Sequence, residues 1–231
     1  MLAFVLALVV VIFALVLLFS LSRHQDRRRR AAFIAAYRFP TALVRKYAED
    51  HPALDAVQVR RVFEGLRQYF LACLAAQKGS IAPSVGMPSR AVDDAWHDFI
   101  LMTREYQAFC RQAFGAYLHH TPDKQMGIPM RDALANTLHQ FQRPLPGGVA
   151  WATAGAIPLL FAMDRELGLV DGFQHDAESL ASLEAARQGL AGQGRDKGSA
   201  GGGGCGGSSG SGGCCSGGSC CGGCGGGGCG S

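Results

Sequence analysis

The chain has 231 residues and a formal net charge of +4, from 22 lysines and arginines and 18 aspartates and glutamates. This charge is unevenly placed. Residues 31–190 carry 15 basic and 16 acidic side chains, so the basic excess falls mainly on Arg23 and Arg27 to Arg30. A nucleic-acid-binding face needs a patch or stripe of basic side chains, which a nearly neutral central region does not offer. We therefore expect no nucleic-acid partner.

The first 22 residues, MLAFVLALVVVIFALVLLFSLS, contain no charged side chain. As a helix they would extend about 30 Å, the thickness of the hydrocarbon core of a bilayer. Arginines follow this apolar run and do not precede it, so the positive-inside rule predicts a single-pass anchor in the cell membrane. The N-terminus would then lie outside and the rest in the cytoplasm. The alternative is a cleaved signal peptide, which typically has basic residues before a shorter apolar region.

On the anchor interpretation, residues 1–22 are a transmembrane helix and residues 23–30 are a basic juxtamembrane segment. Arg23 and Arg27 to Arg30 would then face anionic lipid headgroups. Residues 31–190 would form a helical cytoplasmic domain, since they are numerous enough for one domain with its own hydrophobic core. Residues 191–231 would form a disordered tail. The predicted fold class is therefore mainly α, with one transmembrane helix before the domain.

The clearest helix of the domain is predicted over 55–76, where apolar residues recur every three or four positions. Ser89 is expected to cap the next helix, and Asp176 and Gly189 are expected to begin and end the last one. Residues 79–88 contain two prolines and two glycines, which predicts a loop. The other predicted helices cover 41–50, 89–102, 103–115, 129–143 and 158–169.

Residues 144–163 are uncharged and offer an alternative to a single span. A second membrane crossing here would place the C-terminal tail outside the cell. However, Pro146, Gly147, Gly148 and Pro158 interrupt this segment. Such interruptions favour a buried loop followed by a helix.

The last 31 residues, 201–231, consist only of glycine, cysteine and serine. These residue types cannot build a hydrophobic core, which predicts disorder. Flexible thiolates bind zinc or Cu(I), so the tail is a candidate metal-binding segment. A solvated or self-associating tail and a palmitoylated one are the alternatives. The cysteines of the tail are Cys205, Cys214, Cys215, Cys220, Cys221, Cys224 and Cys229.

A second candidate metal site lies within the domain. Asp93, Asp94 and His97 fall within about one turn of a predicted helix, and His119 and His120 follow the next helix. If these two helices form a hairpin, one histidine of the pair returns toward His97. Imidazoles with a carboxylate bind zinc or another divalent metal such as non-haem iron. The spacing matches no specific zinc motif, so His97 could instead be a buried histidine hydrogen-bonded to Asp93 or Asp94.

The same stretch resembles the signature region of the glycine-rich domain-containing protein-like family, in which a VDxxWH…Y…HHxP pattern recurs. The resemblance extends to a glycine-rich C-terminus and implies a mainly helical domain without an established activity. Plant members are larger, and some carry RNA-binding segments whose aromatic and basic stretch this chain lacks. High alanine, arginine and glycine usage suggests a bacterial member. The matching residues are Val92, Asp93, Trp96, His97, Tyr106, Cys110, Gly115, His119, His120 and Pro122.

Two functions are compatible with these patterns. The first is a membrane-anchored interaction module that binds an unidentified protein partner, in which substitution of Asp93 or His97 would weaken the fold. The second is a metal-dependent enzyme, in which the same substitutions would remove the metal and preserve the fold. The sequence favours the first, because the ligand spacing matches no known motif, and it leaves enzymatic activity undecided.

Overall fold

The computed structural model describes residues 1–77, 85–121, 127–145, 148–154 and 156–193. This part of the chain forms eight helices and one short hairpin, which confirms the mainly helical fold class. The helices are α1 (Leu2–Ala36), α2 (Thr41–Asp50), α3 (Ala56–Ala76), α4 (Arg90–Leu101), α5 (Thr103–Phe114), α6 (Met130–Phe141), α7 (Leu159–Glu166) and α8 (Ala177–Gln193). Strands β1 (Thr153–Ala154) and β2 (Ile157–Pro158) pair antiparallel. The predicted disordered tail beyond Gln193 and residues 78–84 of the predicted loop lie outside the described residues.

Helix α1 runs without a break from the apolar segment through the arginine cluster. Its large apolar side chains from Phe4 to Leu21 are exposed, and it is the one helix among the described residues long and apolar enough to span a membrane. At its other end Ala31 and Ile34 are fully buried, and Phe33 packs against the core. One continuous helix therefore joins the exposed apolar segment to the interior of the domain.

Two of the clustered arginines contact the domain. The guanidinium of Arg27 donates to the carbonyl oxygen of Gln77, just after α3. The guanidinium of Arg30 lies against Gly115, where a Cβ atom would come within 2.6 Å of it. Gly115 has a φ of +75° and ends α5, and a cation is favourable at this negative end of the helix dipole. Arg28 and Arg29 stay exposed.

Helix α3 lies at the centre of the domain and packs against α1, α2, α4, α6 and α7. Its predicted span is confirmed, and it begins with a capping box between Asp55 and Gln58. Gly65 lets α3 approach its neighbours closely, since a Cβ there would meet the side chains of Met163 and Val92 at 2.8 and 2.9 Å. The helix packs on an aromatic cluster in which the rings of Phe70 and Phe109 lie 4.8 Å apart.

The N-terminus of α4 is held by two side chains, Ser89 and Asp164. The predicted cap is confirmed, because Ser89 Oγ accepts from the amide of Val92 at 3.2 Å. Asp164 comes from α7 and is only 1% exposed. Its carboxylate accepts from Ser89 Oγ at 2.6 Å and from the amides of Arg90, Ala91 and Phe173 at 2.7, 3.2 and 2.8 Å. These bonds join α4, α7 and the segment before α8.

Two other predictions about the C-terminal half have clear outcomes. The described residues of 144–163 form the hairpin and the start of α7, whose residues 159–164 are buried in the domain. An eight-residue helix is too short to span a bilayer, so the predicted helix is confirmed. The predicted burial of the loop before it is wrong, because Leu145 alone is buried among the described residues of 144–158. The predicted stop at Gly189 is wrong, because α8 continues to Gln193.

His175 lies in a half-buried position beside α7. Its Nε2 donates to the carbonyl oxygen of Pro88 at 3.1 Å, and its ring contacts those of Phe161 and Phe173. Burial lowers the pKa of His175 below its ordinary value. The unfolded chain therefore binds a proton here at higher pH than the folded chain does. The contribution of the neutral His175 to folding stability is complete above its pKa in the unfolded chain. It is lost as the pH falls toward its pKa in the folded chain.

We expect the melting temperature, followed by circular dichroism, to drop between about pH 7.5 and pH 5, the range in which an ordinary histidine titrates. The drop should be smaller in His175→Gln, which keeps a donor for Pro88 without a titrating group. Replacing the exposed His24 of α1 by glutamine should leave the drop unchanged. An equal drop in all three chains would show that His175 contributes nothing to it.

Candidate metal centre

Three of the predicted ligands come together on one side of α4. Asp93 and His97 lie one turn apart on this helix, and His120 lies in the segment after α5. His120 Nε2 is 3.0 Å from Asp93 Oδ1, and His97 Nδ1 is 3.7 Å from Asp93 Oδ2. One ligand atom from each residue lies within 4.8 Å of the other two. We call these three residues the Asp-His-His group.

The Asp-His-His group could hold a metal ion. Ligand atoms about 2.0–2.2 Å from an ion stand roughly 3–3.5 Å from one another, so the 3.0 Å contact between His120 and Asp93 already fits. The other separations, which are at most 4.8 Å, need only a small movement of one side chain. His97 can supply it, since its side chain is 51% exposed. Two imidazoles and one carboxylate do not fill the coordination sphere of a divalent metal, and the described residues supply no further ligand to this group.

The hydrogen bond between His120 and Asp93 indicates which ring nitrogen of His120 is the donor. An ionised carboxylate only accepts, so His120 Nε2 carries the proton in this bond. A metal ion bound at the same nitrogen would displace that proton. Metal binding by the Asp-His-His group is therefore expected to weaken as the pH falls.

A series of buried hydrogen bonds lies beside His120. The sequence does not predict that it positions this residue. The ring of Trp96 contacts that of His120 edge-on at 4.6 Å between centroids. Trp96 Nε1 donates to the hydroxyl of Tyr106 at 3.0 Å, and that hydroxyl donates to the carbonyl oxygen of Leu118 at 2.6 Å. These hydrogen bonds hold the segment that carries His120 against α4. The one sequence signal was a tyrosine hydroxyl within an apolar helical stripe, since such a buried hydroxyl needs a partner.

Tyr106→Phe should destabilise the domain by about 1–3 kcal/mol, because the indole N–H of Trp96 and the carbonyl of Leu118 both lose a buried partner. It should also weaken zinc binding by roughly 10-fold or more, since His120 is no longer held in place. Urea unfolding with and without zinc measures both effects. Tyr117→Phe is the matched control, because Tyr117 is 42% exposed, and it should change neither quantity. Unchanged zinc affinity in Tyr106→Phe would contradict the positioning role.

The remaining predicted ligands lie apart from the Asp-His-His group. His119 is exposed, and its ring packs on Tyr117 at 4.8 Å between centroids. Asp94 faces another side of α4, where its Oδ2 lies 4.0 Å from Nε2 of His51. Burial is the main cause that raises the pKa of Asp94 above its ordinary value. The alternative of a buried His97 is wrong, because this side chain is half exposed.

The cysteines of the domain are structural. Cys73 and Cys110 are both buried and unpaired in disulfides. Burial raises the pKa of each thiol, which keeps both protonated and unreactive at neutral pH. The seven cysteines of the tail lie outside the described residues.

A family model described as UCP032817-like matches residues 29–195, more than two thirds of the chain. The chain belongs to the UCP032817-like family. The UCP032817-like match contains the whole Asp-His-His group and leaves out residues 1–28 and the segment of glycine, cysteine and serine. No curated protein and no solved structure matches. The description of the UCP032817-like family names no reaction, so the proposed function rests on the geometry of the site.

Proposed function

We propose that this UCP032817-like chain is a membrane-anchored helical domain that binds one divalent transition-metal ion through Asp93, His97 and His120. One observation carries the proposal: ligand atoms from two separate elements converge within 4.8 Å at a partly exposed surface. The exposure of His97 argues against a purely structural role, since a half-exposed imidazole 3.7 Å from its nearest carboxylate oxygen adds little stability. This favours metal binding over the interaction module.

Among the described residues the site offers three ligands, the number typical of a reactive metal site. Structural zinc sites have four protein ligands, whereas catalytic sites have three and keep a position for water or substrate. A bound zinc ion would supply Lewis acidity and an activated water, which is the chemistry of hydrolysis. The chain itself contributes a carboxylate that offsets positive charge, and Trp96 and Tyr106 position one imidazole. Metal-assisted hydrolysis is therefore the reaction class that we propose.

The deciding experiment is the metal content of the full chain in detergent micelles, measured by plasma mass spectrometry after purification without chelators. The seven cysteines of the tail are changed to serine in every sample, so that thiolates add no zinc. We expect close to one equivalent of zinc or iron, and its loss in His97→Ala with helical circular dichroism retained. His119→Ala is the matched control and should keep the metal. A metal-free chain, or equal loss in both variants, would refute the proposed site.

We also propose that α1 anchors the domain to the cytoplasmic face of a membrane, with residues 1–22 as the span. Two features support this proposal: the exposed apolar side chains of α1 and the arginines that follow them. A cleaved signal peptide would be expected to separate from the mature domain, whereas α1 continues into the core at Ala31 and Ile34. Since Arg27 and Arg30 contact the domain, Arg23, Arg28 and Arg29 are the arginines proposed to meet anionic headgroups. Protease digestion of the domain in intact inverted vesicles, but not in right-side-out ones, is the result expected.

A further inference from the structure

A cleft of about 260 Å³ opens on the side of α4 that carries Asp94. It lies between α2, α4 and residues 169–172, and none of the Asp-His-His group lines it. Leu54 and Leu169 give it apolar walls, and its charged or titratable lining residues are His51, Arg90, Asp94 and Asp171. This volume is close to the lower end of the range for small-ligand pockets, so the cleft suits a ligand with few atoms.

Two hydrogen-bond acceptors face each other in the cleft. His51 Nδ1 lies 3.0 Å from the carbonyl oxygen of Tyr47, which can only accept, so Nδ1 carries the proton. In the neutral ring Nε2 is then an acceptor, and it lies 4.0 Å from Asp94 Oδ2. That distance is too long for a hydrogen bond between the two atoms. One ammonium nitrogen, however, could lie about 2.8 Å from both.

The Asp94 carboxylate accepts no hydrogen bond from the described residues, and its side chain is half-buried, with His51 Nε2 4.0 Å away. An unpaired, partly desolvated carboxylate gains from a cationic partner. Arg90 lies one turn earlier on α4 and lines the same cleft, and its charge attracts the Asp94 carboxylate without a direct contact between the two side chains. One of its nitrogens, Nη1, donates weakly to the carbonyl oxygen of Asp171 at 3.4 Å. The cleft therefore presents the carboxylate of Asp94 and the guanidinium of Arg90 about one helical turn apart, between apolar walls.

We propose that this cleft binds a small zwitterion of the α-amino acid type with an aliphatic side chain. The ammonium would lie between Asp94 and His51, the carboxylate against the guanidinium of Arg90, and the side chain against Leu54 and Leu169. Arginine suits the carboxylate because its planar guanidinium can donate two parallel hydrogen bonds. This site uses side chains of α4 other than those of the Asp-His-His group, so it is independent of metal binding.

The test is a titration of the full chain in detergent micelles with leucine, followed by saturation-transfer NMR at about pH 8, where a free imidazole is neutral. Leucine should bind saturably. N-acetylleucine lacks the ammonium and leucinamide lacks the carboxylate, so each should bind about 10-fold more weakly or worse, the loss typical of one charged hydrogen bond. An absence of saturable leucine binding, or equal binding of N-acetylleucine, would overturn the proposal.

Variants then locate the ligand. Asp94→Asn and Arg90→Gln should each weaken leucine binding about 10-fold, for the same reason. Asp132→Asn on α6 lies outside the cleft and is the matched control, which should bind as the unaltered chain does. His97→Ala should also bind leucine normally, which separates failure of this site from failure of the metal site. Undiminished binding in both Asp94→Asn and Arg90→Gln would place the ligand elsewhere and overturn the assignment.

Discussion

Replacing Asp164 by alanine should lower the free energy of unfolding by about 3–5 kcal/mol, enough to unfold much of a marginally stable domain. The physical reason is that a fully buried carboxylate satisfies four donors at once. Without it, the amides of Arg90 and Ala91 lose their partners at the start of α4. Each stranded buried donor costs roughly 1–3 kcal/mol. Urea unfolding followed by circular dichroism measures the loss.

Two further chains sharpen this test. Asp164→Asn keeps one side-chain oxygen as an acceptor and should lie between the unaltered chain and the alanine variant. Asp171→Ala is the control, because Asp171 is exposed and its carboxylate accepts no hydrogen bond among the described residues. It should change stability by less than about 0.5 kcal/mol. If Asp164→Ala behaves like Asp171→Ala, the buried cap does not stabilise the fold as we describe.

The second large effect concerns Asp93, which lies between the two imidazoles of the Asp-His-His group. Asp93→Ala should weaken zinc binding by about 100-fold or more, since even indirect partners of metal ligands contribute 10–100-fold. The metal-free chain should lose little more than about 1 kcal/mol, because the side chains of Asp93 and His120 are 28% and 21% exposed and water can replace the bond. Titration against a competing chelator gives the affinity, and urea unfolding gives the stability.

Asp94→Ala provides the matched comparison for this experiment. Asp94 is the next residue of α4, but it faces the cleft and not the two imidazoles. Zinc affinity should therefore fall much less than in Asp93→Ala, because Asp94 offers no ligand atom to the group and acts on it only through its charge. Strong destabilisation of the Asp93 variant, with no difference in zinc affinity between the folded variant and the unaltered chain, would instead support the interaction module.

The helices near the site could be predicted from the sequence because their signals are local. Ser89 directly precedes α4, and Gly115 directly follows α5. The contribution of Asp164 could not be predicted, since its partner Ser89 lies 75 residues away along the chain. The helix end predicted at Gly189 is the opposite case, because a local signal is present but α8 continues past it. A glycine inside a helix costs only about 1 kcal/mol, so it does not compel an end.

The sequence predicts the candidate ligands as a set, but it does not show which residue of an adjacent pair faces the site. Asp93 and Asp94 are about 100° apart around α4, so they face different surroundings. His119 and His120 follow α5 outside any helix, and the choice between them depends on how the buried hydroxyl of Tyr106 holds this segment. Such a choice depends on tertiary packing, and no spacing rule contains it.

Because α1 is a continuous helix, no flexible joint separates the apolar segment from the domain. A helix resists twisting along its length, so a rotation of the span about its own axis would turn the domain by the same angle. One residue inserted before Arg27 would reset that angle by about 100° and advance the domain by about 1.5 Å. The Asp-His-His group and the cleft would therefore keep a fixed orientation relative to any protein that binds the apolar segment.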